Sequence, residues 1–334
     1  ELLVAMADSE AALKRFLLSN EVKELAPSDE IFRVNAEEHR KLVQGAPWSR
    51  DPTYFKYARI SATALIKMLM HAKSGAKHEI MGIIRGRILP NTMVVTDSFA
   101  LPVEGTETRV NAQAQANEYM CTYHEDSRRV GRQDNVIGWY HSHPGYGCWL
   151  SGIDVTTQTT HQQYEDPYLA VVVDHVRTIS AGRVELGAFR TYPQGYKPAD
   201  EPPSQYQPIP LNKIEDFGVH CRQYYALEVS YFRSSLDSHL LNRLWSRYWV
   251  STLSSNTLFS QSDYLLSQSR DLADKLEQAE AGMGRQSALM DALDSDDRVA
   301  KLARDTGRLV TEELSALSGL LIKDLLFNRP GAKP

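Results

Sequence analysis

Cysteine is scarce in this chain. Three occur in 334 residues, Cys121, Cys148 and Cys221. They are too few and too scattered for a disulfide framework, which suits a reducing compartment. Positive charge is not in excess either: 37 Lys and Arg stand against 42 Asp and Glu, a net charge of −5. There is thus no basic field of the kind that attracts nucleic acid or an anionic lipid surface. No apolar run approaches the roughly 20 residues that a membrane-spanning helix needs, and the first residues lack the basic start and cleavage site of a signal peptide. A soluble, intracellular protein is expected, with neither nucleic acid nor membrane as partner. The chain opens on Glu1 in place of Met, so an upstream piece is also expected. What the chain does have is apolar content, 42% of its residues. That is enough for a sizeable core, and the length suggests two or three units.

Residues 1–25 have helical spacing, with Leu13, Phe16 and Leu17 on one side. Residues 26–57, punctuated by Pro27, Pro47 and Pro52, read as an irregular arm lying on a core, so the first unit is a helix and arm over 1–54. A helix is expected over 60–70, ending near Gly75, then strands over 80–84 and 93–99 around a turn at Pro90 and Asn91. Residues 101–108 have no periodicity and read as a flexible loop, followed by a polar helix over about 111–130. An apolar strand at 136–140, a helix over 153–163 and β-rich runs at 168–173 and 184–189 complete the pattern. Strands interleaved with helices argue for one α/β sandwich over about 55–195, with an insertion at about 100–135. Residues 196–222 form a Pro-rich linker or second insertion. From about residue 222 no strand is expected. Leu236, Leu240, Leu244 and Tyr248 keep i, i+4 spacing beside Trp245 and Trp249, and Leu265, Leu272, Leu276, Leu309, Leu317, Leu320 and Leu321 continue the helical pattern. An all-helical region over 223–330 with apolar stripes and few local partners should bundle with helices of other subunits; a self-contained bundle is the alternative.

The chemistry is concentrated between residues 141 and 154. His141 and His143 stand two apart at the end of an apolar run, so in a strand both imidazoles project from one face. Asp154 follows His143 by eleven residues, after a Gly-rich turn that can swing it back. Two His and a carboxylate with one position left for water is the build of a catalytic zinc site, and iron is compatible with the same ligand types. Ser151 and Asp154 also fit a helix capping box, a role compatible with metal ligation. Hydrolysis further needs a carboxylate to carry the proton. Glu79, Glu104, Glu107 and Glu118 are candidates, and Glu79 is favoured because it opens a strand. The Ser151 hydroxyl is either an oxyanion donor or an N-cap. Cys148 reads as a small buried residue, not a nucleophile.

Glu79, His141, His143, Pro144, Ser151 and Asp154 together spell E…H-x-H-P-x(6)-S-x(2)-D. This resembles the JAMM motif of the MPN-domain metalloproteases. The resemblance implies an α/β fold, an MPN (JAMM, cytidine-deaminase-like) sandwich, here with an all-helical C-terminal extension. It implies one Zn2+ per chain held by His141, His143 and Asp154, with Glu79 as general acid/base and Ser151 assisting the tetrahedral intermediate. The reaction implied is hydrolysis of isopeptide bonds to ubiquitin or ubiquitin-like proteins. Three further stretches, DSFALPVEGTETRVNAQ at 97–113, KIEDFGVHC at 213–221 and YYALEVSYF at 224–232, resemble the branch of the family found in the COP (constitutive photomorphogenesis) signalosome. That likeness runs from about residue 28 to 327 and is weakest at 280–310. The deubiquitinase branch of the proteasome lid is similar in the motif but not in the insertion or after residue 192.

The closer likeness implies removal of the neddylation modifier from a cullin of a cullin-RING ligase, the modifier's tail entering as an extended strand beside a sheet edge. It also implies other signalosome subunits as partners: an MPN-domain partner lacking the metal ligands and subunits that bundle their C-terminal helices. Glu104 and Glu107 stand on a Gly- and Thr-rich loop next to the strands that frame the site. A loop carboxylate there is expected to gate the open zinc position, Glu107 ahead of Glu104, leaving the isolated subunit weakly active. A broad deubiquitinase, a scaffold with a vestigial site and an iron-dependent oxidase are the alternatives; the intact Glu79 and Ser151 disfavour the last.

Overall fold

Among the described residues, seven strands form one sheet that curls until its two ends meet. They are β1 (Tyr57–Ser61), β2 (Met81–Leu89), β3 (Thr92–Ala100), β4 (Asn135–Ser142), β5 (Leu169–Val173), β6 (Leu186–Thr191) and β7 (Tyr224–Phe232), in the spatial order β1-β3-β2-β4-β5-β6-β7, with β7 returning to pair in parallel with β1. The α-helices whose bounds lie among the described residues include α1 (Ala36–Gly45), α2 (Ala62–Gly75), α3 (Arg109–Arg129), α4 (Gly152–Glu165), α5 (His175–Ala181), α6 (Ile214–His220), α7 (Ser262–Met283) and α8 (Leu289–Lys323). This computed structural model describes residues 29, 31, 36–102, 109–132, 134–181, 183–196, 208–243, 261–283 and 289–325.

The sequence of β5, five apolar residues without a polar break, is that of a strand covered on both faces. Leu169, Val171 and Val173 enter one buried cluster and Ala170 and Val172 the other. The first cluster draws on all seven strands and on Ala64, Met68 and Ala72, the i, i+4, i+8 face of α2. The second takes Trp139, Phe99 and Phe189 from the opposite face, with Val155 of α4 and Met120 and Tyr123 of α3 packed on it. α2 thus packs on one face of the sheet and α3 and α4 on the other, with Lys67 of α2 also meeting Tyr123 of α3 at 3.4 Å, and the face of β4 that carries Trp139 lies under α4. Ser61 ends β1 and caps α2, its side chain accepting from the Ala64 N–H.

The expected hairpin turn at Pro90 and Asn91 is present, with Asn91 at φ 49° between β2 and β3. The polar helix of the insertion, the helix after the motif and the two β-rich runs also appear, as α3, α4, β5 and β6. Three expectations are corrected. Residues 224–232 form a strand, β7, where only helix was expected from residue 222, and that strand closes the sheet. Ile60 belongs to β1 and the helix starts at Ala62, because Ser61 caps α2 and ends the strand at that point. The arm before residue 57 contains a helix, α1, from which Leu42 packs on the core. Closure also restricts where a peptide can add as a strand. β1 covers β3 only from Thr92 to Val95, so the rest of β3 is the stretch whose β1 side carries no paired strand among the described residues.

After β7, residues 235–243 are helical. α7 and α8 pack on each other, and α8 also touches α5. Leu276 of α7 and Val310, Leu314, Leu317 and Leu321 of α8 remain exposed, as expected of helices that lack local partners. No helix among the described residues is long and apolar enough to cross a membrane. The expected N-terminal helix, most of the 101–108 loop with Glu104 and Glu107, and Leu244, Trp245, Tyr248 and Trp249 lie outside the described residues.

Candidate metal centre

The site is built where β4 ends. His141 lies between Met81 of β2 and Val172 of β5. His143 stays in line because its N–H donates to the Val173 carbonyl at 3.0 Å, and the Ser142 hydroxyl between them accepts from the Ile80 N–H at 3.0 Å. The pleat therefore sends both imidazoles the same way. Trp139 stacks on His141, ring centroids 4.6 Å apart and nearly parallel. Tyr146 stacks on His143 at 4.5 Å, and Trp149 meets the same ring edge-on at 5.4 Å. The chain then turns through Gly145 and Gly147, both with φ near +90°, a region that costs glycine nothing and other residues much.

That turn delivers Ser151 and Asp154 to the mouth of α4. The Asp154 N–H donates to the Ser151 hydroxyl oxygen at 3.3 Å, and Asp154 Oδ2 accepts from the Ser151 N–H at 2.9 Å and from its hydroxyl at 2.7 Å, a complete capping box. The helix N-terminus favours the carboxylate further. The capping reading of Ser151 is thus realised, with its proton directed at the very oxygen that faces the histidines.

Asp154 Oδ2 lies 3.3 Å from His141 Nε2 and 3.6 Å from His143 Nε2, and the two nitrogens are 3.0 Å apart. All three residues are buried. His143 Nδ1 lies 3.0 Å from the Gly147 carbonyl, a bond that assigns its proton to Nδ1 and leaves the Nε2 lone pair pointing at the cluster. Burial holds the His143 imidazole below its usual range, with Asp154 pulling partly the other way, so the ring is neutral at pH 7. Burial pushes the Asp154 carboxyl up, and the two imidazoles more than reverse it, so it stays ionised well below the usual carboxylate range. Two imidazole nitrogens and an ionised carboxylate oxygen lie within 4.8 Å of one another. This donor set fits a single zinc ion, with one position of a tetrahedral shell left over.

Glu79 comes just before β2, exposed, and its Oε1 accepts the Tyr146 hydroxyl proton. Burial and the Glu79 charge push the Tyr146 phenol up, so it remains a donor. The Lys213 ammonium sits over the Tyr146 ring at 5.1 Å. One ring thus links Glu79 to His143. Of the other candidate bases, Glu118 is exposed on α3, and Glu104 and Glu107 lie outside the described residues. Cys148 is buried and its thiol is pushed up by that burial, which makes it a poor nucleophile, as expected. Sequence reasoning missed Tyr146, Trp139 and Gln158, whose Oε1 accepts the Trp139 indole N–H at 2.9 Å. The only hint was the place of Tyr146 inside the motif's glycine turn.

Residues 53–167 match the family described as JAB1/Mov34/MPN/PAD-1 ubiquitin protease. Residues 254–328 match the Cop9 signalosome subunit 5 C-terminal domain. Among curated relatives, COP9 signalosome complex subunit 5 of Drosophila melanogaster is 56% identical over 97% of this chain and 99% of its own length. Its counterpart in Dictyostelium discoideum is 53% identical over 95% and 96%, and subunit 5a of Arabidopsis thaliana 53% over 96% and 93%.

Proposed function

Since the chain belongs to the family of COP9 signalosome subunit 5, built on a JAB1/Mov34/MPN/PAD-1 ubiquitin-protease domain, we propose that it is the zinc-dependent isopeptidase of that complex and removes a ubiquitin-like neddylation modifier from cullins. The observation that carries the reading is the convergence of His141 Nε2, His143 Nε2 and Asp154 Oδ2, with Glu79 fastened beside them by Tyr146. These three residues would hold the zinc. A bound zinc ion supplies Lewis acidity and lowers the pKa of water to about 7. Glu79, as a carboxylate at the site's exposed edge, takes the proton of the attacking water and returns it to the departing lysine amine. Tyr146 keeps that carboxylate aimed. Ser151 holds Asp154 through its hydroxyl and backbone, so it acts on the intermediate only after its hydroxyl turns away from Asp154. Trp139, Tyr146 and Trp149 wall the two imidazoles from bulk water.

The exposed apolar stripe of α8 supports bundling with helices of other subunits, and the molecule would also pair with an MPN-domain subunit lacking the metal ligands. Its three cysteines are free, which suits the reducing cytoplasm and nucleus where we place it. The test is cleavage of a neddylated cullin and of a ubiquitin conjugate by the chain assembled with its partners, beside the His141→Ala variant. Zinc content is measured in parallel. One zinc per chain, with cleavage of the neddylated cullin lost in His141→Ala and slow on ubiquitin, is expected. Equal rates on both conjugates would make it a general deubiquitinase, a reading the ubiquitin-protease description of the matching family favours. Full zinc without cleavage would leave a metal-bound scaffold.

A further inference from the structure

The glycine turn between His143 and Trp149 carries the carbonyl that orients His143, yet its glycines have no side chains to fix it. The fixing comes from just past β5. Asp174 is wholly buried. Its Oδ1 accepts the N–H of Gly145 at 3.0 Å and of Arg177 at 2.9 Å, and its Oδ2 the N–H of Gly147 at 2.9 Å. Arg177, 1% exposed, lies 3.4 Å from Asp174 Oδ2 through Nε. It donates Nε–H to the Gly145 carbonyl at 3.2 Å and Nη2–H to the Pro208 carbonyl at 2.6 Å. Burying two charges is costly unless their hydrogen bonds are used. Here, beyond the pair itself and one N–H of α5, those bonds hold the glycine turn and the segment at Pro208. The Gly147 carbonyl fixed in this way is the one that meets His143 Nδ1.

A second line of contacts reaches the same turn from the C-terminal helices. The ring of Tyr264 on α7 lies so close to Gly145 that a Cβ there would come within 3.1 Å of it. α7 is tied down beside it: Asp271 Oδ1 accepts the Leu211 N–H at 2.8 Å and Lys275 donates to the Ile209 carbonyl at 2.9 Å. On α8, Arg308 reaches Glu185 at 3.4 Å, whose carbonyl accepts the Asp174 N–H at 3.0 Å.

We propose that Asp174 and Arg177 are positioning residues for His143, and that the Tyr264 ring makes the setting of the glycine turn depend on the docked C-terminal helices. The proposal rests on His143 being a metal ligand. Helices that serve assembly would thereby bear on metal retention, because they press on the loop that aims one ligand. Outer-shell partners of a ligating histidine change metal affinity by about 10- to 100-fold when lost.

The experiment uses the full chain as wild type, Asp174→Asn, Tyr264→Ala and Tyr264→Phe. Zinc affinity is measured by competition with a fluorescent zinc chelator, amide exchange of Gly145 and Gly147 on the metal-free chain, and unfolding temperature alongside. Asp174→Asn is expected to bind zinc about 10- to 100-fold more weakly, with both glycine amides exchanging faster. Tyr264→Ala should weaken binding toward the lower end of that range, and Tyr264→Phe, which keeps the ring, should match wild type. A pair that is only structural would lower the unfolding temperature and leave the zinc affinity of the folded chain unchanged; that result overturns the proposal. Tyr264→Phe as weak as Tyr264→Ala overturns the ring contact. If Asp174→Asn does not fold, the two Tyr264 variants decide. A wild-type chain that takes up no zinc overturns the metal reading itself, and this proposal with it.

Discussion

Tyr146 occupies a position where one side chain serves two others. Its ring covers His143 and its hydroxyl holds Glu79. Tyr146→Phe keeps the ring and removes only the donor. A hydrogen bond to a charged group is worth about 1.5 kcal/mol at the lower end, which suits an exposed carboxylate, so kcat should fall about tenfold with zinc content unchanged. Steady-state cleavage of a neddylated substrate checks this; an unchanged kcat would remove Tyr146 from the proton path. The converging donors His141, His143 and Asp154 were legible in the sequence because their geometry is local: i, i+2 in a strand for the histidines and a capping box for Asp154. Tyr146 was illegible in this role because its partner, Glu79, comes from a distant part of the chain, and Asp174 because its work is done on backbone amides that carry no sequence signature.

Among the elements, β7 decides whether the sheet is open or closed. Leu227 is buried on it and faces Ala188 of β6, within the cluster shared by all seven strands. Leu227→Ala should cost about 2–5 kcal/mol by loss of burial and the cavity left behind. Urea unfolding of the full chain measures it, and a loss under 1 kcal/mol would mean that β7 closes the barrel only loosely. The α/β class, the hairpin, α3, α4, β5 and β6 were readable from periodicity and turn residues. β7 was not, although Tyr225, Leu227, Val229 and Tyr231 alternate. It follows a Pro-rich linker and precedes leucine-rich helical spacing, and its partner β1 is parallel and near the other end of the chain. Nothing local announces such a pairing. α1 was hidden for a different reason: its charged, short sequence between prolines has the look of an arm, and it is held by Leu42 against the core.

For the whole molecule, buried and half-buried imidazoles set an acid limit. His71, His143 and His175 are each held below the usual histidine value by burial. In the unfolded chain they titrate near about 6.5, so below that pH the unfolded state binds more protons and stability falls as pH drops toward the lower folded values. The urea midpoint of the metal-free chain should therefore be lower at about pH 5.5 than at about pH 7.5; an equal or higher midpoint would contradict this. The proposed assembly uses a different surface. Val310, Leu314, Leu317 and Leu321 keep helical spacing on α8 and are exposed. Replacing Leu317 and Leu321 with Asp should leave the isolated chain folded, since exposed positions tolerate such changes within about 0.5 kcal/mol, and should abolish co-elution with partner subunits. Retained co-elution would move the interface elsewhere. Finally, closure of the sheet by its last strand fixes an order during synthesis. β1 leaves the ribosome early, while its neighbour β7 emerges only when Phe232 does. Until then the nascent chain already holds His141, His143 and Asp154 but carries two open strand edges, on β1 and on β6, of the kind that pair with the wrong chain. The interval from Thr191 to Phe232 is thus the stretch of synthesis in which both edges stand open.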